Sequence, residues 1–237
     1  MISIDGPAGS GKSTTAKLVA KKLGFTFLDT GAMYRALTLK ALRNNINLKN
    51  EKEVVSLTKD TDIKLFENRG WLRIVLDGED VSKKIRTENI SQNVATIAAF
   101  PAIRKWMVQL QRKIGKNENI VAEGRDIGTV VFPDARLKIF LVASLEARAR
   151  RRVRDFTTTG EPADLNKIIK SIEQRDATDS KRKTSPLKKA DDALEIDTTN
   201  LTIEQQVDII VEKWGEVLKP NSNHKLTDKL TEDTEVN

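Results

Sequence analysis

The sequence predicts an α/β fold in which helices flank a parallel sheet, with an antiparallel hairpin inserted into the series. Three observations predict it. Apolar strand-like runs alternate with helical patterns over most of the chain, as in βα units whose strands pair in parallel. A glycine-rich turn joins the first strand to the first helix. Two adjacent runs of alternating polarity, within residues 62–76, then interrupt the pattern as a hairpin would.

The elements follow in order. A strand from Ile2 to Asp5 precedes a helix that begins near Lys12, is apolar at Leu18, Val19 and Leu23, and stops at Gly24. A second strand, Phe25 to Leu28, leads through Asp29-Thr30-Gly31 into a helix reaching about Asn44, with Thr30 as the expected cap. Residues 51–60 read as helical. The hairpin pairs Asp62 to Phe66 with Trp71 to Leu76 through Glu67-Asn68-Arg69-Gly70, and a helix starts near Thr87. Beyond Phe100-Pro101 come a helix to Ile114, a strand from Asn119 to Ala122 and another from Leu137 to Val142. Basic helices at about 145–157 and 164–182, broken at Gly160-Glu161-Pro162, lead to a strand Ala193 to Ile196 and an amphipathic helix Ile203 to Leu218.

This order divides the chain into a core over residues 1–60 and 101–218, a lid-like basic stretch within it at about 146–185, and an inserted subdomain over 61–100. Residues 219–237 are polar and without apolar periodicity, so disorder is expected there; the only histidine, His224, lies in that tail. With 237 residues the chain can bury a real core. It has no cysteine, which excludes a disulfide framework, a cysteine zinc site and a catalytic thiol.

Gly6-Pro7-Ala8-Gly9-Ser10-Gly11-Lys12-Ser13 fits the spacing G-x-x-x-x-G-K-S/T, directly after a strand and opening a helix, with Thr14 next in line. Such a loop turns successive backbone N–H groups inward, and the helix N-terminus adds partial positive charge. Phosphate oxygens are its natural occupants, so a P-loop nucleotide-binding core is expected. Lys12 would reach the β- and γ-phosphates of ATP, and the Ser13 hydroxyl would ligate Mg2+ with waters completing the shell. Asp5, Glu123 and Asp126 are the carboxylates available to hold that ion through water, and the sequence does not choose among them.

Three further segments point to a kinase. Tyr34 and Arg35 follow Thr30 by one turn, where a helix N-terminus and a guanidinium fork can hold a second phosphate. Glu123-Gly124-Arg125-Asp126 concentrates charge just past a buried strand, where open α/β sheets bind ligands. Arg148 and Arg152 share one helical face, and Arg175, Asp179 and Arg182 recur at about one-turn spacing on the next helix. Transfer between two bound phosphates concentrates negative charge, which arginines on a closing segment neutralise.

The motifs IDGPAGSGKST, DTGAMYR, AEGRDIGTVVFPDA and RDATDSKR, in this order, resemble the bacterial cytidylate kinase family from Ile2 to about Leu218. The resemblance implies transfer of the γ-phosphoryl group of ATP to CMP or dCMP, and makes residues 61–100 an acceptor-binding subdomain. It further implies that Arg35, Arg125 and Arg182 contact the acceptor phosphate, with Thr30 and Tyr34 lining that pocket. Arg104 and Asp126 match residues that read the cytosine ring, Arg175 and Asp179 match residues at the sugar hydroxyls, and Arg148 and Arg152 match lid residues near the transferred phosphoryl group. Relatives often carry a base-bonding serine where this chain has Ala95, with Thr96 beside it.

The net charge of +7 gathers in residues 145–190, where 13 Lys/Arg face 7 Asp/Glu, and charge alone suits RNA or clustered phosphates equally. Only 5% of residues are aromatic, too few for an RNA stacking platform, and Trp71, Trp106 and Trp214 read as packing residues. The expected partners are therefore small nucleotides, with no nucleic acid and no membrane, for a monomeric cytosolic enzyme without a signal peptide or bilayer-spanning run. A P-loop kinase of UMP, dTMP or another small metabolite, and an RNA-associated P-loop ATPase, are the alternative readings.

Overall fold

The computed structural model describes residues 1–68, 71–116, 119–159 and 164–219, with the side chains of 67, 68, 71 and 155–159 left aside. The predicted turn at Arg69-Gly70, the break at Gly160-Glu161-Pro162 and the tail from residue 220, with His224, lie outside the described residues. The main sheet contains β1 (Ile2–Asp5), β2 (Thr26–Asp29), β6 (Ile120–Gly124), β7 (Leu137–Val142) and β8 (Leu194–Asp197), all parallel in the order β2-β6-β1-β7-β8. A smaller antiparallel sheet joins β3 (Ile63–Asn68), β4 (Trp71–Leu76) and β5 (Glu79–Asp80).

Both faces of the main sheet are covered, and β6 accordingly carries apolar, buried residues in succession at Ile120, Val121 and Ala122. Ile2, Ile4, Phe27 and Val121 pack against α1 (Lys12–Leu23) and α8 (Ile203–Leu218) on one face. On the other face, Leu28, Ile120 and Ala122 pack against α2 (Thr30–Arg43) and α5 (Pro101–Gly115). Trp214 of α8 meets Phe25 edge to face at 5.5 Å, a packing role. The helix itself opens on a capping box between Thr202 and Gln205.

The inserted strands do not form a core of their own. Ile63, Ile74, Leu76, Val81 and Ile85, together with Val94 and Ile97 of α4 (Glu88–Ala99), belong to the same apolar cluster as Met33 and Leu37 of α2. α4 stops where Phe100 turns extended ahead of Pro101, and Pro101 then starts α5, the position where its fixed φ and missing N–H cost least. The stretch 51–60 divides into α3 (Glu51–Leu57) and a 3-10 turn, and the two-residue β5 is too short to signal itself in sequence. The basic segment forms α6 (Leu145–Thr159) and α7 (Leu165–Lys181), joined by a small cluster around Ala149, Ile168 and Ile172.

The chain leaves β1 toward β2 on one side, while β7 pairs on the other, so a crevice opens beyond the carboxyl end of β1. Asp5 stands opposite Gly124, and Asp29 opposite Glu123, in the parallel register. No helix among the described residues is long and apolar enough to cross a membrane.

Candidate active site

The phosphate cradle lies at the carboxyl end of β1. Gly11 takes the left-handed conformation, φ 93°, that turns the loop into α1 and that side-chain-bearing residues rarely adopt. The first turn of α1 carries no acidic residue and no side-chain cap, so the helix N-terminus presents its positive end to the crevice. Lys12 is buried, its Nζ 3.3 Å from the Pro7 carbonyl and 4.0 Å from Glu123 Oε2. Burial first, then the nearby Arg125 guanidinium, push its ammonium down to about 8. The Ser13 hydroxyl donates to Glu123 Oε1 over 2.8 Å, and Thr14 faces solvent on the same turn.

α6 and α7 lean on the cradle from above. Arg148 donates to the Ala8 carbonyl at 3.1 Å and to Asp176, whose other oxygen accepts from the Ala8 N–H at 3.4 Å. Arg151 donates to the Gly9 carbonyl at 3.4 Å and to Thr198, whose hydroxyl also lies 3.0 Å from the Ser10 carbonyl. These contacts tie the loop Gly6 to Ser13 to two helices and to the end of β8.

Facing the cradle, the second half of the site is a buried lattice of guanidinium and carboxylate groups. Arg104, 3% exposed, pairs with Asp126, 5% exposed, and stacks over Tyr34 with 5.6 Å to the ring centroid. Arg182 lies 3.9 Å from Asp126 and 3.7 Å from Asp179, and Arg125 donates to Asp179 at 2.8 Å. Burial would raise the Asp179 carboxyl, but Arg125, Arg175 and Arg182 prevail and hold it below the usual carboxylate range. Arg175 is pushed down to about 10, by burial and then by Arg125. Arg152 adds positive charge beside Arg35 and Arg175, and Arg35 donates to Ser91 of α4 at 2.8 Å.

Four buried donors on this side make no hydrogen bond among the described residues: Tyr34 Oη, Arg104 Nε, Arg175 Nε and Arg182 Nη2. An unsatisfied buried donor costs about 1–3 kcal/mol. Such a cluster of them is the signature of a site built for acceptor atoms that arrive with a ligand.

The structure brings the sequence-predicted acceptor residues Thr30, Tyr34, Arg35, Arg104, Arg125, Asp126, Arg175, Asp179 and Arg182 together in one linked cluster whose Arg125, Arg175 and Asp179 charges reach Lys12. Thr30 does not cap α2. Asp29 caps it, accepting from the Ala32 N–H at 2.8 Å, while the Thr30 hydroxyl donates to the Glu123 carbonyl. Three contributors carried weaker signals. Asp29 is an Asp at a strand end ahead of Thr-Gly, Asp176 sits inside the RDATDSKR motif, and Ser91 has no motif at all.

The three candidate carboxylates for Mg2+ separate by their partners. Both Asp5 oxygens are taken by backbone N–H groups, and Asp126 is committed to Arg104. Glu123, 3% exposed, meets Ser13 and shares its strand register with Asp29, whose carboxyl is pushed up by burial and then by the charge of Glu123. A hydroxyl and two carboxylates are the hard oxygen donors that Mg2+ takes, and the residues fit the ion. Among the described residues no cluster of three or more His, Cys, Asp or Glu forms a protein-only cage.

A family model described as "Cytidylate kinase" matches residues 2–216. The cytidylate kinase of Fusobacterium nucleatum subsp. nucleatum is 51% identical over 217 residues, covering 92% of this chain and 98% of that protein. The cytidylate kinase of Caldanaerobacter subterraneus subsp. tengcongensis is 49% identical over 225 residues, covering 95% and 97%. That of Clostridioides difficile is 48% identical over 213 residues, covering 90% and 97%.

Proposed function

The chain belongs to the cytidylate kinase family, and from that membership we propose that it transfers the γ-phosphoryl group of ATP to CMP or dCMP, giving ADP and CDP or dCDP. One observation supports the reading above the others: Arg125, Arg175, Arg182 and Arg104 converge with Asp126 and Asp179 on one side of a crevice whose other side is the Lys12 cradle.

The cradle residues Gly6 to Thr14 hold the ATP phosphates through backbone N–H groups, Lys12 and the α1 terminus. Ser13, with Glu123 or Asp29 through water, would hold Mg2+, which would supply charge neutralisation at the phosphates. The acceptor phosphate is drawn to Arg35, Arg125 and Arg182, with Tyr34 and Thr30 at the pocket wall. Asp126 accepts from the exocyclic amino group of cytosine and Arg104 donates to a ring acceptor, an arrangement uracil cannot satisfy in the same way. Arg175 and Asp179 serve the sugar hydroxyls, and Arg148 and Arg152 stand over the transferred group.

No general base is required. The second ionisation of a phosphate monoester lies near ~6, so at neutral pH the attacking oxygen is already anionic, and catalysis reduces to alignment and charge neutralisation. Lys12, Arg125 and Arg148 do this work from fixed positions, with the arginine-rich helices closing the site against water.

An ADP-release assay across CMP, dCMP, UMP, dTMP and AMP tests the reading. Turnover with CMP or dCMP well above the other three supports it. A strong preference for UMP or dTMP, or turnover that depends on RNA, would sink it.

A further inference from the structure

Asp5 ends β1 one residue before the cradle, yet its side chain turns away from the phosphate site. Its carboxylate, 4% exposed, accepts from the backbone N–H of Ile127 and of Gly128, each at 2.8 Å. Those two amides open the π-helical turn Ile127–Val131, so a fixed negative charge meets the positive end of that turn. At the other end Arg112 of α5 donates to the carbonyls of Val130 and Val131, at 2.7 and 2.9 Å. The turn is held at both ends by opposite charges. Arg125 and Asp126 are the residues that lead into it.

The turn also lies directly on β1. A Cβ added to Gly128 would come 2.9 Å from Ser3 Oγ and 3.3 Å from Lys138 Cδ, so a larger residue there would force the buried Ser3 side chain or the turn to shift. The distance between β1 and the turn is therefore set by Gly128, and its orientation by the two hydrogen bonds to Asp5. A carboxylate suits this place because both of its oxygens accept. An asparagine would offer one oxygen and set an N–H2 group against the second amide.

We propose that Asp5 is a positioning residue for acceptor recognition, holding the 125–131 turn so that Arg125 and Asp126 stand at a set height above the phosphate cradle. The inference rests on the reading that these two residues bind the acceptor nucleotide. It gives Asp5 a function distinct from metal binding, because the oxygens a water-bridged ion would use are occupied by the turn. It also ties the two halves of the site through one side chain, since the residue after Asp5 is Gly6.

The test compares Asp5→Asn and Gly128→Ala with the wild-type enzyme in two measurements: KM for CMP under saturating ATP, and the dissociation constant of ATP alone by calorimetry. Both substitutions are expected to raise the KM for CMP by about tenfold or more, the factor that one lost buried hydrogen bond commands, and to leave ATP affinity within about twofold. Parallel loss of both affinities would make Asp5 a general structural residue, and an unchanged KM for CMP would remove the role altogether. Should Asp5→Asn fail to fold, Asp5→Glu takes its place under the same two outcomes, because it keeps a buried carboxylate but shifts its oxygens relative to the Ile127 and Gly128 amides. Wild-type turnover with CMP checks the underlying reading separately, and whichever acceptor the enzyme uses takes the place of CMP in the comparison.

Discussion

Arg104 and Asp126 form an ion pair within the protein interior, with the Arg104 guanidinium stacked over the Tyr34 ring. Arg104 Nε makes no hydrogen bond among the described residues, and Asp126 also faces Arg182 at 3.9 Å. Two buried charges held this way are expensive unless a ligand uses them.

Replacing Asp126 with Ala leaves Arg104 as a buried cation without its carboxylate. Loss of one partner of such a pair costs roughly 3–5 kcal/mol of stability. The kcat/KM for CMP falls further than that for UMP, because only the cytosine amino group needs the carboxylate. Steady-state kinetics with both acceptors check this, and equal losses would remove Asp126 from base recognition.

Replacing Lys12 with Ala costs about 3 kcal/mol or more of transition-state stabilisation, on the scale of one preorganised donor. Stability moves in the other direction. Burial and Arg125 already disfavour the Lys12 ammonium, so its removal relieves repulsion and the melting temperature holds or rises. Single-turnover kinetics and a thermal melt together check it; near-normal turnover would overturn the assignment of the donor site.

Replacing Glu123 with Gln removes the carboxylate that meets Ser13 and faces Asp29. The Mg2+ concentration giving half-maximal rate rises, while the ligand-free protein keeps its stability because Asp29 is freed from a like charge. A titration of rate against Mg2+ is the check. An unchanged half-point would take Glu123 out of the metal site.

The ligand-free protein gains stability on mild acidification. Burial pushes the Asp5 carboxyl up to about 6, against two backbone hydrogen bonds that pull it down, and burial with Glu123 also raises Asp29. A carboxyl whose folded pKa exceeds its unfolded value takes up its proton first in the folded state. Its stabilising contribution is complete below about pH 4, the unfolded value, and is lost as the pH rises through the folded one. Thermal melts between about pH 7.5 and about pH 5 will show the melting temperature rising as the pH falls, with the unfolding free energy gaining up to about 1.4 kcal/mol per pH unit for each such group. A fall across that range contradicts the burial of these carboxylates.

Local chemistry made the cradle and the strand-helix order legible in the sequence. Gly6 to Ser13 has the spacing of a phosphate-binding turn between strand and helix, and the strands at Ile2 and Ile120 are buried throughout. Pairing across the sheet was not legible. Asp5 looked like one of three equivalent carboxylates, and only the register of β1 against β6 and the return of the chain at Ile127 show where its oxygens go. The sequence alone does not choose between Asp29 and Thr30 as the cap of α2, because both are good caps and the choice is made by the Glu123 carbonyl, which takes the Thr30 hydroxyl. Ser91 reaches Arg35 across an insertion, a contact that no spacing along the chain encodes.

The central claim is that two nucleotides lie head to head between the Lys12 cradle and the arginine lattice around Asp126. A bisubstrate compound, adenosine and cytidine joined through five phosphates, tests it most directly by calorimetry. The account predicts one molecule bound per chain, about 100-fold or more tighter than ATP or CMP alone, since linkage turns the second binding event into an intramolecular one. It also predicts that Lys12→Ala and Arg182→Ala each weaken that binding. Two molecules per chain, or an affinity no greater than that of ATP alone, would contradict it.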